Sequence, residues 1–108
     1  MEIINWKMGV ELAANNEDYA KEFLQLLVQE LLLQLDSIRH HVKMVDNNAL
    51  KKELHKLLGA LSYSGAMRLK KATVEFNEAL NKNCDISEVF SKFDEEAKVF
   101  IEHVNLVL

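Results

Sequence analysis

Residues Lys51 to Leu69 read KKELHKLLGALSYSGAMRL, and the spacing of their apolar positions decides the fold. Wound at about 100° per residue, Leu50, Leu54, Leu57 and Leu61 fall within one narrow sector, the pattern of a helix that buries a single face. With Leu54 set at zero, Ser62 falls near roughly +80°, His55 near +100° and Gly59 near +140°, while Lys52 and Lys56 lie at about 160° to 200°. His55 is therefore expected to face water. A glycine inside a helix costs about 1 kcal/mol relative to alanine, so Gly59, one turn beyond His55 on the same face, calls for a reason. The pattern offers access: without a side chain there, another protein can bring a bulky group up to the imidazole.

Working outward, the same periodicity recurs on both sides. Asn5 is placed to cap a short first helix carrying Trp6, Val10, Leu12 and Ala13, and the polar run Asn15 to Asp18 ends it and caps the next. A long second helix, from about residue 18 to 45, carries an inward stripe of Ala20, Leu24, Leu27, Leu31, Leu35, Ile38 and Val42. Leu26 and Leu33 fall opposite that stripe, and Leu32 on its flank. Such groups form either a contact surface, a seat for an added helix, or part of a wide buried face. Asp46-Asn47-Asn48 caps the His55 helix, and Ser64-Gly65 provides a C-cap or a kink after it. A fourth helix turns Leu69, Ala72, Thr73, Phe76, Ala79 and Leu80 inward. Asp85 and Glu88 then read as a D-x-x-E capping box for a fifth helix with Ile86, Val89, Phe90, Phe93, Ala97, Phe100, Ile101, Val104 and Leu108 on one side. Four long amphipathic helices with short connections imply an all-α, antiparallel up-down four-helix bundle with the short N-terminal helix across one end.

Composition bounds the class. The chain has 108 residues, 49% of them hydrophobic, with three glycines and no proline, which suits a single all-helical domain spanning residues 1–108. The single Cys84 excludes an internal disulfide, no basic-then-apolar leader is present and no apolar run approaches ~20 residues, so a cytoplasmic location without membrane insertion is expected. The net charge of −4 is unevenly spread: between Lys51 and Lys71 six bases face the single acid Glu53, a local +5 on a body carrying −9. This reads as a solvated helix face or as a patch steering an acidic partner or a phosphoryl group, and the acidic remainder argues against nucleic acid.

The common cofactor and metal signatures are missing: there is no G-x-x-x-x-G-K loop, no G-x-G-x-x-G, no H-E-x-x-H and no paired E-x-x-H. His40 and His41 are adjacent, hence about 100° apart on a helix, poorly placed for joint ligation and expected to face solvent. His103 lies beside the last helix's core stripe and reads as structural. Cys84 sits in a loop without a nucleophile signature.

The motif from His55 onward, His55-Lys56-Leu57-Leu58-Gly59 followed by Ser62-Tyr63-Ser64-Gly65 and Leu69, resembles the signature of the histidine-containing phosphotransfer (HPt) family. It looks closest to the C-terminal HPt domains of hybrid sensor kinases of the BarA type, and the helix layout is similar across nearly the whole chain. The resemblance implies a phosphorelay intermediate of two-component signalling. His55 would accept a phosphoryl group from the aspartyl phosphate of a receiver domain and pass it to a response regulator. It also implies no cofactor of the domain's own, with Mg²⁺ on the receiver, and no enzymatic nucleotide site in the isolated domain, which would act as a monomer within or beside a sensor kinase. Lys51, Lys52, Lys56, Gly59, Ser62, Tyr63, Leu26 and Leu33 are the expected receiver-docking residues. The chain departs from the family in two features. Its frequent lysine three residues after the histidine is Leu58 here, leaving Lys51, Lys52 or Lys56 to supply a cation, and Phe76-Asn77 replaces a leucine-glutamate pair. The dimerising phosphoacceptor domain of a histidine kinase fits less well, because Lys56 stands where that motif has an acid and its proline is missing. A helical interaction bundle with an incidental His55 is the remaining alternative.

Overall fold

A computed structural model describes residues 1–108 as five helices: α1 (Trp6–Leu12), α2 (Glu17–Lys43), α3 (Asn47–Leu61), α4 (Met67–Asn81) and α5 (Ser87–Val107). At ~1.5 Å per residue, α2 alone spans about 40 Å, and it sets the 40 Å long axis of the molecule. The connections among α2, α3, α4 and α5 run 3 to 5 residues, so each helix packs antiparallel on its neighbour, and α2 closes the ring against α5.

Local chemistry fixes most helix starts. The side chains of Asn5, Asn16 and Asp46 accept hydrogen bonds from the backbone N–H groups of Met8, Tyr19 and Ala49, three residues on in each case, as expected for N-caps. The α2 C-terminus closes as a Schellman motif, with Val45 N–H donating to Val42 C=O and Asp46 N–H to His41 C=O. The fifth helix differs from its expected start. It begins at Ser87 after Ile86, and the Asp85 carboxylate accepts from the backbone N–H and hydroxyl of Ser87 two residues on. That local turn engages the carboxylate, so the Asp85–Glu88 capping box does not form.

The core draws on all four long helices: Leu24, Leu31 and Ile38 of α2, the four leucines of α3, Leu69, Phe76 and Leu80 of α4, and Phe93, Phe100 and Val104 of α5. Phe76 meets Phe93 edge-on at 5.5 Å between ring centroids, tying α4 to α5. Two ion-pair clusters lie on the outside of this core. Arg68 of α4 forks onto both carboxylate oxygens of Glu96 of α5 at 3.0 Å, with Lys92 adding a third contact. Arg39 of α2 reaches Asp94 of α5 at 2.7 Å, with Lys98 on the other oxygen.

The short N-terminal helix is seated by glycine. Gly65, with φ of +73°, lies so close to the chain at Asn5 that a Cβ there would sit 2.5 Å from the Asn5 carbonyl oxygen. Asn5 N–H donates to Gly65 C=O at 2.8 Å, and Gly9 packs against the Ser64 carbonyl, 3.2 Å from where its own Cβ would be. The Ser64 hydroxyl, fully buried, donates to Leu61 C=O and accepts from Ala66 N–H. Ser64-Gly65 is thus the turn on which α1 is built.

Candidate functional site

The four leucines of α3 are 0–1% exposed, which drives the helix's buried face home and leaves His55 on the outer one, exposed as its spacing requires. His55 takes part in no side-chain hydrogen bond or ion pair within the chain, and its ring nitrogens are free to meet a partner. A Cβ added at Gly59 would find no atom within 4 Å, so one side of the imidazole is open space.

Three lysines share this helix. Lys51 is half-buried, Lys52 and Lys56 are exposed, and none of them forms an ion pair. The basic hairpin is smaller than its sequence suggested, because Arg68 is held by Glu96 and points to the opposite seam of the bundle. Glu53, the one acid of that stretch, lies beside the α2 helix, with its Oε2 buried and 3.5 Å from His41 Nε2. His41 is therefore half-buried between α2 and α3 and does not face solvent as expected. Of this adjacent pair, His40 alone is exposed.

Leu26, Leu33 and Lys56 come together. They line a groove of about 510 Å³ between α2 and α3, with Phe23, Leu27 and Ala60 among the other walls. Leu26 is 59% exposed and Leu33 73%, an uncovered apolar edge beside the His55 helix. Tyr63 is not part of that groove. It sits in an adjoining apolar recess with Leu12, Ala13, Tyr19 and Phe23, so the Phe23 ring is the wall shared by both. Ser62 shares the His55 face, but its hydroxyl donates to Leu58 C=O at 2.8 Å. Sequence reasoning missed Phe23, Tyr19 and Ala60. Phe23 stands three residues before Leu26 and ten before Leu33, on the same helical side, a spacing that could have found it.

No three His, Cys, Asp or Glu side chains converge as a metal-holding group, and no helix is long and apolar enough to cross a membrane. What the outer face of α3 offers chemically is an exposed imidazole, neighbouring ammonium groups and an apolar groove.

Comparison with known proteins identifies the family. The family model for the Hpt domain matches residues 22–103, which takes in α3 and its histidine and leaves α1 outside. The chain is 30% identical over 95 residues to the sensor histidine kinase GacS of Pseudomonas protegens, covering 88% of this chain and 10% of that protein. It is 27% identical over 105 residues to the sensor protein GacS of Pseudomonas syringae pv. syringae, covering 90% of this chain and 12% of that protein. The chain therefore spans about a tenth of the length of the curated relatives it matches. No solved structure matches it significantly. With a family match across most of its length and a bundle presenting a histidine on its outer face, the chain belongs to the Hpt domain family, the histidine-containing phosphotransfer modules of two-component signalling.

Proposed function

We propose that His55 is the phosphoryl acceptor of this domain, receiving the group from the aspartyl phosphate of a receiver domain and passing it to the aspartate of a second one. The observation that carries this reading is the exposed, unpaired imidazole beside the open backbone of Gly59. A neutral imidazole keeps one ring nitrogen unprotonated near neutral pH, and that lone pair attacks phosphorus. The new N–P bond forms as the acyl P–O bond breaks, and its electron pair leaves with the receiver's carboxylate. The ring, now carrying the phosphoryl group, releases its other proton to solvent or retains it. The return step reverses these bonds onto the next carboxylate.

Phosphoryl transfer depends on in-line placement and neutralisation of charge more than on covalent machinery. Mg²⁺ and the remaining catalytic charges belong to the receiver in this reading, and this chain supplies the nucleophile and the surface. The groove of Phe23, Leu26, Leu33, Lys56 and Ala60 is the docking face: apolar at its centre with a cation at its rim, suited to a small, short-lived interface with an acidic partner. The bare Gly59 admits the receiver's active-site loops to the ring. Incubation of the protein with a phosphorylated receiver tests the docking half of this reading. Leu26→Ser with Leu33→Ser should slow transfer while leaving the helical spectrum and the final extent of labelling unchanged. Wild-type rates in that double variant would overturn the placement of the docking face.

A further inference from the structure

On the side away from the core, α2 carries an apolar ridge: Leu26 and Leu33 stand out into water, and Leu32 beside them is half exposed. The ridge is wider than a partner reaching His55 needs. Leu33 walls two grooves, the one toward α3 and a second of about 400 Å³ toward α5, shared with Leu32, Lys98 and Ile101. A partner seated on the α3 side alone leaves the other flank of the ridge in water. A rod lying along α2 covers both flanks.

The charges along α2 mirror each other about its middle. Residues Glu17 to Glu22 hold three acids and one base, a net −2, whereas Ile38 to Lys43 hold Arg39 and Lys43 with no acid, a net +2 with the histidines neutral. Arg39 is already reached by Asp94, but Asp18, Glu22 and Lys43 are exposed and form no ion pair within the chain. Leu26 and Leu33 straddle the midpoint between these two ends. A twofold axis across the middle of α2 therefore sets Leu26 of each copy by Leu33 of the other, and the acidic end of each by the basic end of the other. That is the self-complementary pattern of an isologous contact. A parallel pairing would bring like ends together.

We propose that a second copy of this chain docks antiparallel along the α2 ridge, each copy covering the other's docking groove, so that pairing and receiver docking exclude each other. The inference rests on the groove being the receiver's seat and adds a regulation of that seat: the share of domain open to a receiver falls as its concentration rises. A strip about 10 Å wide along a helix of about 40 Å buries on the order of 800 Å² in total, below the roughly 1,200 Å² where stable interfaces begin. The pair is therefore weak and reversible, and a receiver displaces it. The monomer implied by the family resemblance is then the dilute form.

Sedimentation equilibrium reads the pairing. The weight-average mass of the wild type should rise from 12.4 kDa toward twice that value between about 10 µM and about 1 mM. Asp18→Lys and Lys43→Glu should each weaken the pair by roughly three- to tenfold, because the twofold axis makes every contact occur twice, with the helical spectrum as the check on folding. The two changes in one chain should restore the pair to within about twofold of wild type. A mass fixed at 12.4 kDa throughout, or a double variant no better than the singles, overturns the antiparallel pairing and leaves the receiver's seat standing. With an unphosphorylated receiver added, each complex should hold one copy of this chain, and a complex of two copies with a receiver overturns the exclusion. Pairing that Leu26→Ser with Leu33→Ser abolishes, in a variant that still transfers at wild-type rates, upholds the pairing but overturns the receiver's seat and the exclusion with it.

Discussion

Replacing Gly59 should move stability and function in opposite directions. The residue lies inside α3, where glycine costs about 1 kcal/mol relative to alanine through backbone entropy. A Cβ at this position meets nothing within 4 Å, so no clash offsets the gain. Gly59→Ala should therefore stabilise the domain by about 1 kcal/mol, which for a chain of this size raises Tm by roughly 4–6 °C. Gly59→Leu brings a similar gain in helix propensity, but its side chain leans back over the turn that carries His55 and fills the approach to the ring. Misplacement of reacting groups by about 1 Å can cost on the order of a hundredfold in rate, and a filled approach should cost at least that much. Thermal unfolding followed by circular dichroism gives the first quantity, and phosphotransfer from a labelled receiver gives the second. A lower Tm for Gly59→Ala would refute the open-space geometry. Unimpaired transfer by Gly59→Leu would refute the reason given for the glycine.

The other glycine of the motif should respond with the opposite sign. Gly65→Ala forces an L-residue to φ of +73° and places its Cβ 2.5 Å from the Asn5 carbonyl oxygen, so we expect a loss of more than about 2 kcal/mol in urea unfolding and release of α1. Arg68→Leu leaves the nearly buried Glu96 with Lys92 alone and should cost about 3 kcal/mol, whereas Arg68→Leu with Glu96→Leu should recover most of it. Acid should destabilise the fold through Asp94 and Glu96. Burial pushes both carboxyls up, but the combined hydrogen bonds and charges of Arg39 and Lys98 on Asp94, and of Arg68 and Lys92 on Glu96, outweigh it and hold both below their ordinary values of 3.8 and 4.5. The unfolded chain then binds more protons than the folded one, so this contribution is complete above pH 4.5 and disappears as pH falls through the lowered values. Urea titrations from pH 7 to 3 should show the decline, and Glu96→Gln should flatten it.

Much of the fold was legible because it is written in local rules. The stripes of α2, α3 and α5 follow the helical period, and Asn5, Asn16 and Asp46 each cap the helix that follows them. Where the local rule met a competing local bond, it failed: Asp85 had the right residue type and spacing, but Ser87 took its carboxylate first. Long-range pairs left no trace in the pattern. Arg68 and Glu96 are 28 residues apart, and nothing in either neighbourhood marks them as partners. For the same reason the sequence pattern places Arg68 in the basic patch and turns His41 to solvent, whereas the fold pairs them with Glu96 and Glu53. At the site, the outward turn of His55 and the bareness of Gly59 follow from α3 alone. The groove needed two helices side by side, so only its exposed leucines were visible in the sequence. The packing role of Gly65 against Asn5 joins segments 60 residues apart and could be seen only in the fold.

The most direct measurement is incubation of the wild-type protein and His55→Gln with a receiver carrying labelled aspartyl phosphate. Label on the wild type that is stable to alkali and lost in acid, with none on His55→Gln despite an unchanged helical spectrum, is the predicted result. Equal labelling of both proteins, or label on the wild type that survives acid, would contradict the assignment of His55 as the group that receives the phosphoryl.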